Sequence, residues 1–239
     1  MLGLLYKNFR ISFASFLFNM TVTLVCVAIM IISSILDGTD LITENGGDLM
    51  FFILYYFVFM LVSLTSNLLF ESEESKACCA FAMSTPQGGK GFIESKYWYI
   101  LMQYLFMLFI AFLTDTVTFA ILGGAFSASI VLVMIFCWRL LLAAIEIPFV
   151  IRFGSQKGIA IKGLVITFVI ILGMLYLMFG DISWLINSDD PLKALMDWLK
   201  SGKIILPISL FPFVSASAYW LSCKISIKVF RKGAENYEQ

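Results

Sequence analysis

Six long apolar segments alternate with polar or charged segments along the chain. Their uncharged runs cover 11–36, 49–70, 97–114, 116–138, 163–180 and 204–223. Each run is close to the roughly 20 apolar residues that an α-helix needs to cross a bilayer. The pattern predicts an all-α polytopic membrane protein with six transmembrane helices, at about 13–36, 49–70, 97–121, 128–151, 163–180 and 204–225.

The segment 97–151 is too long for one span, and Gly123 and Gly124 favour a turn inside it. The opening residues, MLGLLYKNFR, predict a short amphipathic helix lying on the membrane surface. Together these elements predict one transmembrane domain over residues 1–239.

The composition agrees with a membrane domain and argues against several kinds of function. Apolar residues make up 61% of the chain and charged residues 13%, whereas soluble domains have about 45–50% and about 25%. The 16 basic and 16 acidic residues cancel, so no nucleic-acid partner is expected. The chain has no histidine and no cysteine spacing typical of a metal site. We therefore expect no catalytic residues and no metal ligands.

The basic residues predict how the chain is oriented. If both termini are cytosolic, three Lys residues fall in outer segments, at positions 193, 200 and 203. Cytosolic segments of membrane proteins are enriched in Lys and Arg. The inner segments then hold twelve, which are Lys7, Arg10, Lys76, Lys90, Lys96, Arg152, Lys157, Lys162, Lys224, Lys228, Arg231 and Lys232.

The longest predicted cytosolic loop, residues 71–99, combines acidic residues with an apolar patch. The patch includes Phe81 and Met83, and Pro86 stands where it can begin a helix. An apolar patch in a charged loop usually needs a covering surface. Two interpretations remain open at this point. The loop either docks to a cytosolic partner or forms a helix that lies against lipid headgroups.

Short motifs around the first three spans carry a family resemblance. Lys7-Asn8-Phe9-Arg10 precedes the first span, and an acidic run leaves the second. Ser84-Thr85-Pro86 and Glu94-Ser95-Lys96-Tyr97 then lead into the third. In this layout the chain resembles bacterial ABC permeases of the type-two exporter class. In size it is similar to the small permeases that export amphipathic peptides, such as the phenol-soluble modulin exporter. It departs from many relatives in having Gln87-Gly88-Gly89 between the proline and the next basic residue.

The resemblance implies a multi-pass permease of the bacterial cytoplasmic membrane with both termini in the cytosol. It also implies a cytosolic ABC ATPase partner, a second permease copy and an amphipathic substrate, most simply a peptide. The sequence contains no G-x-x-x-x-G-K-[ST] phosphate loop, so ATP and magnesium are expected on the ATPase. The loop after the second span would contain a coupling helix, whose candidate contact residues are Glu73, Glu74, Lys76, Phe81, Met83, Pro86 and Lys90.

Two charges interrupt the predicted fourth span. Arg139 and Glu146 are seven residues apart, or about two turns, so they share a helix face. Charges at this depth normally face the bundle interior or a water-filled path. They either line the translocation path or form structural contacts between helices. Pro148 favours a kink close by.

Other functions are compatible with parts of the pattern. An ABC permease for lipids or drugs would share all of these features. An ion-driven secondary transporter would be expected to show broken helices in matching halves, and none is evident in the sequence. An intramembrane enzyme would need a catalytic cluster, whereas Glu146 stands alone in its apolar run.

Overall fold

The computed structural model describes residues 2–36, 56–57, 69–70, 84, 88–121, 129–179 and 202–235. The prediction of an all-α chain is confirmed over these residues. Their longer segments form six helices, which are α1 (Leu2–Ile11), α2 (Phe13–Leu36), α3 (Gly88–Ile121), α4 (Ser129–Phe153), α5 (Ser155–Phe179) and α6 (Gly202–Glu235).

Several of the described helices are long and apolar enough to cross a membrane. These are Gly88–Val117, Ser129–Phe153 and Ser209–Lys232, and α1 with α2 would add a fourth as a pair bent by 63°. The apolar part of α5, Gly163–Leu175, is shorter. Most of the predicted second span, 49–70, lies outside the described residues, so six spans stay a prediction. The chain is a multi-pass membrane protein.

Helices α3, α4 and α6 form the core of the described bundle. Phe92 near the start of α3 lies 5.7 Å, between ring centroids, from Phe230 near the end of α6, so these two helices are antiparallel. The hydroxyl of Ser222 on α6 reaches the carbonyl of Ala144 on α4. Ser, Ala and Cys at such positions allow helix backbones to approach closely. We call the end of the bundle where α3 begins and α4 ends the basic end, because it carries Lys90, Lys96, Arg152 and Lys228.

Pro148 explains why α6 packs so closely on α4. Proline has no backbone N–H, so Pro148 leaves the carbonyl of Ala144, four residues earlier, without its helical donor. Ser222 Oγ donates a hydrogen bond to that carbonyl oxygen at 2.6 Å. In a bilayer every backbone polar group must be satisfied inside the protein. Helix α6 therefore supplies the hydrogen bond that proline removes from α4, and α4 continues through Pro148 to Phe153.

The same serine belongs to a chain of hydroxyl groups that joins three helices. Tyr97 OH on α3 lies 2.7 Å from both Ser222 Oγ and Ser226 Oγ on α6. A hydroxyl has one proton to donate, and Ser222 gives its proton to Ala144. Ser222 must therefore accept from Tyr97, and Tyr97 must accept from Ser226. Each hydroxyl therefore donates in the direction of α4. Ser226 donates to Tyr97, Tyr97 donates to Ser222, and Ser222 donates to the carbonyl of Ala144.

Helix α1 is held to α3 by polar contacts. Asn8 Nδ2 donates to Ser95 Oγ at 3.2 Å, and Ser12 Oγ lies 2.6 Å from Tyr99 OH. Asn8 and Ser12 are buried, while the apolar side chain of Tyr6 faces outward. The predicted amphipathic helix is present. Its polar face turns toward the bundle, and its apolar face is left for lipid.

Helix boundaries differ from the predicted spans at three places. Helix α3 begins nine residues before the predicted span at 97, and α6 continues ten residues beyond 225. Helix α5 begins at Ser155 rather than at 163. The connection from α4 to α5 is the single residue Gly154, whose φ of +91° favours glycine. Its N–H bonds the carbonyl of Val150 at 2.8 Å, as in a glycine C-cap.

Candidate functional site

Helix α4 carries the two predicted intramembrane charges on one buried face. Arg139 is 1% exposed and Glu146 is 6% exposed. Their seven-residue separation places them about two turns apart, as the spacing predicts. No ion pair joins these two residues, both of which the structure describes. Each charge therefore makes its own interactions.

The guanidinium of Arg139 has an aromatic neighbour. Its guanidinium carbon lies 5.5 Å from the centroid of the Tyr56 ring, in a cation–π contact. Within the described part of the chain, none of its three side-chain nitrogens has a hydrogen-bond partner. A charge at the centre of a membrane helix costs roughly 2.5–3.5 kcal/mol on insertion scales. A cation–π contact recovers about 0.5–2 kcal/mol, so Arg139 is held at a net cost.

The predicted coupling residues lie mostly outside the described residues. Only Lys90 is described, in the first turn of α3, where its Nζ lies 3.8 Å from Glu94 Oε1. Exposed pairs of this kind contribute about 0–1 kcal/mol, so Lys90 is not fixed in place by it. The residues outside are Glu73, Glu74, Lys76, Phe81, Met83 and Pro86.

Sequence analysis counted Lys96 only as a positive charge, but it is a buried structural residue. Its Nζ lies 4.4 Å from the ring centroid of Phe70 and 4.8 Å from that of Phe92. The Lys7 ammonium of α1 also lies over the Phe92 ring, 5.5 Å from its centroid. Phe92 also packs on Phe230. We call these five residues the lysine–aromatic joint. The i, i+4 spacing of Phe92 and Lys96 was the sequence signal for it.

The joint lies at both ends of the predicted coupling loop. Phe70 directly precedes residues 71–87, and Gly88 begins α3 directly after them. Gly88 has a φ of +59°, and a right-handed helix does not run unbroken through such a residue. The predicted helix beginning at Pro86 lies outside the described residues. A force on residues 71–87 would therefore reach the lysine–aromatic joint both through Phe70 and through the start of α3.

A second acidic residue is buried in the bundle. Asp115 lies in α3 and is 4% exposed. The predicted span 97–121 runs through this residue, and α3 continues past it to Ile121. An acid inside a predicted span was the available signal.

An apolar cavity opens between α3, α4 and α6 at the end of the bundle opposite the basic end. Its volume is about 330 Å³. By helical geometry its α4 residues lie on a different face from Arg139, so the cavity and the arginine are separate features. The lining residues are Phe112, Ser129, Ile130, Val133, Met134, Ser209, Phe211 and Pro212.

Comparison with known proteins adds one match to this geometry. Residues 41–231 match the family model described as "ABC-2 family transporter protein". The match covers well over half of the chain, including α3, α4, α5 and most of α6. No curated protein and no solved structure matches the chain.

Proposed function

The chain belongs to the ABC-2 transporter family and is a membrane component of an ABC-2 type transporter, and from this we propose that it is an export permease for amphipathic peptides. It moves its substrate out of the cell, and a separate cytosolic ABC ATPase provides the energy. The likeness to phenol-soluble modulin exporters in size and layout supports a peptide substrate. Permeases of this family generally pair with ABC ATPases.

The lysine–aromatic joint is the observation that carries the coupling part of this proposal. Residues 71–87 connect Phe70 to Gly88, the first residue of α3. Lys96 holds the two ends together through its contacts with Phe70 and Phe92. Tyr97, the next residue of α3, contributes its hydroxyl to the chain that reaches Ser222 and, through it, α4. Movement of the loop is thereby passed to α4 and to its buried charges.

The complete transporter contains two permease copies and two ATPases in this proposal. The candidate contacts with the ATPase are Phe81 and Met83, with Glu73, Glu74 and Lys76 around them. Burial of each apolar side chain would contribute about 1.5–3 kcal/mol. The surrounding charges orient the partner more than they strengthen its binding.

A lipid or drug substrate is the second candidate. The apolar cavity of about 330 Å³ between α3, α4 and α6 supports a lipid or drug as much as a peptide, because such a cavity fits an acyl chain or an aromatic drug as well as a peptide side chain.

Transport by the reconstituted complex tests the proposed function. We expect proteoliposomes containing the permease and its ATPase to move a labelled amphipathic peptide only when ATP is present on the ATPase side. The purified permease alone should hydrolyse no ATP, because its sequence has no phosphate loop. Steady ATP hydrolysis by the pure permease would contradict the proposal that ATP is hydrolysed on a separate subunit. Transport of lipid or drug but not of peptide would favour the second candidate.

Thiol labelling in intact cells tests the orientation. On a background without the five native cysteines, Lys157→Cys should be protected from an impermeant maleimide, because the basic end faces the cytosol in our proposal. Lys157 is exposed at the start of α5. Asn45→Cys, in the predicted outer segment 37–48, should react readily. The opposite labelling pattern would reverse the orientation.

A further inference from the structure

Arg139 is the buried charge that the described contacts explain least. It is 1% exposed, and no nitrogen of its guanidinium has a hydrogen-bond partner in the described ranges. Arginine stays protonated in proteins, so it cannot escape burial by losing its charge. Its guanidinium carbon lies 5.5 Å from the centroid of the Tyr56 ring, and an aromatic ring offers no hydrogen-bond acceptor comparable to a carboxylate.

Neither Glu146 nor a second copy of the chain accounts for this charge. Glu146 lies about 10 Å further along the helix axis. A two-fold axis parallel to the membrane normal keeps each residue at its own depth in both copies. The partner's Glu146 would therefore be offset by the same distance.

The depth of Arg139 limits where an anion can come from. It is the eleventh residue of the 25-residue helix α4, so it lies near the middle of the span. Headgroup phosphates lie outside the hydrocarbon core, which is about 30 Å thick, and so more than about 15 Å from the middle of the bilayer. A charged group on a molecule being transported has to pass this depth.

We propose that Arg139 binds the carboxylate of the transported amphipathic peptide during its passage. A carboxylate fits the planar guanidinium edge through two parallel N–H···O bonds. The inference rests on the proposed peptide-export function and adds that the substrate presents an acidic group.

Two peptides that differ in one carboxylate test the proposal. Both are acetylated amphipathic helices on the order of 20 residues made of Leu, Gln and Lys. One ends in a free carboxylate, which is its only acid, and the other in an amide. Binding to the permease–ATPase complex is measured in phosphatidylcholine nanodiscs. We expect the complex to bind the carboxylate peptide about tenfold more tightly, as for a hydrogen-bonded ion pair.

Arg139→Gln should remove this preference and leave binding of the amide peptide unchanged. Arg152→Gln is the matched control, because Arg152 lies on the same helix with its guanidinium 5.0 Å from an aromatic ring, that of Phe153, but is exposed. This control should keep the full preference. If Arg139→Gln does not fold, Arg139→Lys should still lower the preference, since it keeps the charge but loses the planar fork.

Four results would overturn the inference. Equal binding of both peptides by the native complex, or a preserved preference in both Arg139 variants, leaves Arg139 without the proposed ligand. Loss of the preference when phosphatidylglycerol is added assigns Arg139 to lipid phosphate. If neither peptide binds, the proposed substrate class itself is wrong, and the inference fails with it. That result differs from equal binding, which leaves peptide export standing.

Discussion

Replacing Phe81 by aspartate is expected to abolish stimulation of the ATPase by the permease, while membrane insertion and dimer formation persist. The change puts a charge where we propose an apolar contact with the partner. It removes about 1.5–3 kcal/mol of burial and adds the cost of desolvating a carboxylate. Co-purification of the ATPase with tagged permease and ATP hydrolysis in proteoliposomes measure the two effects.

Lys157→Asp is the control for this prediction. It introduces an acid at the same end of the bundle, in the first turns of α5, next to the Gly154 connection. We expect it to leave association and transport close to native. If Lys157→Asp uncouples the ATPase and Phe81→Asp does not, the α4–α5 connection is the coupling element, and our assignment of residues 71–87 is wrong.

Replacing Ser222 by alanine is expected to destabilise the bundle by about 1–3 kcal/mol, the cost of leaving a buried acceptor unsatisfied. The acceptor is the carbonyl of Ala144, which has no helical donor because of Pro148. Thermal unfolding of the detergent-solubilised permease, followed by loss of monodispersity, would show this as a lowered midpoint.

Two companion variants separate this effect from ordinary loss of a hydroxyl. Ser217→Ala is on the same helix, but Ser217 is exposed and donates only locally, to Val214 at 2.9 Å. It should leave the midpoint unchanged. Tyr97→Phe should be milder than Ser222→Ala, since the bond from Ser222 to Ala144 survives it. If Tyr97→Phe lowers the midpoint more than Ser222→Ala does, Ala144 has another donor and the direction assigned to these hydrogen bonds is wrong.

The apolar pattern predicted most of the described helices, because long uncharged runs leave few alternatives in a bilayer. The seven-residue spacing of Arg139 and Glu146 predicted that they share a helix face, and their position inside a span predicted that this face is buried. The pattern missed the one-residue connection at Gly154. The basic residues on both sides of that glycine predicted a cytosolic loop. Exposed helical turns carry the same charges, so the charges alone do not distinguish the two.

Contacts between distant helices could not be predicted from the sequence. Asn8 and Ser95 are 87 residues apart, and no local period relates them. The Tyr56 ring over Arg139 likewise depends on how two helices pack. Phe92 and Lys96 were within reach of sequence analysis, since i, i+4 pairs share a helix face. Lysine side chains are usually exposed, however, so the residue type did not predict that Lys96 is buried between two rings.

The bond between Ser222 and Ala144 also constrains how the protein is made. Ser222 is synthesised 78 residues after Ala144. At roughly 5–20 residues per second, α4 therefore waits on the order of 4–16 s for its donor. Throughout that time the Ala144 carbonyl needs water or an insertion factor, because lipid offers no donor. We therefore expect α4 to leave the insertion machinery together with α6 and not before it.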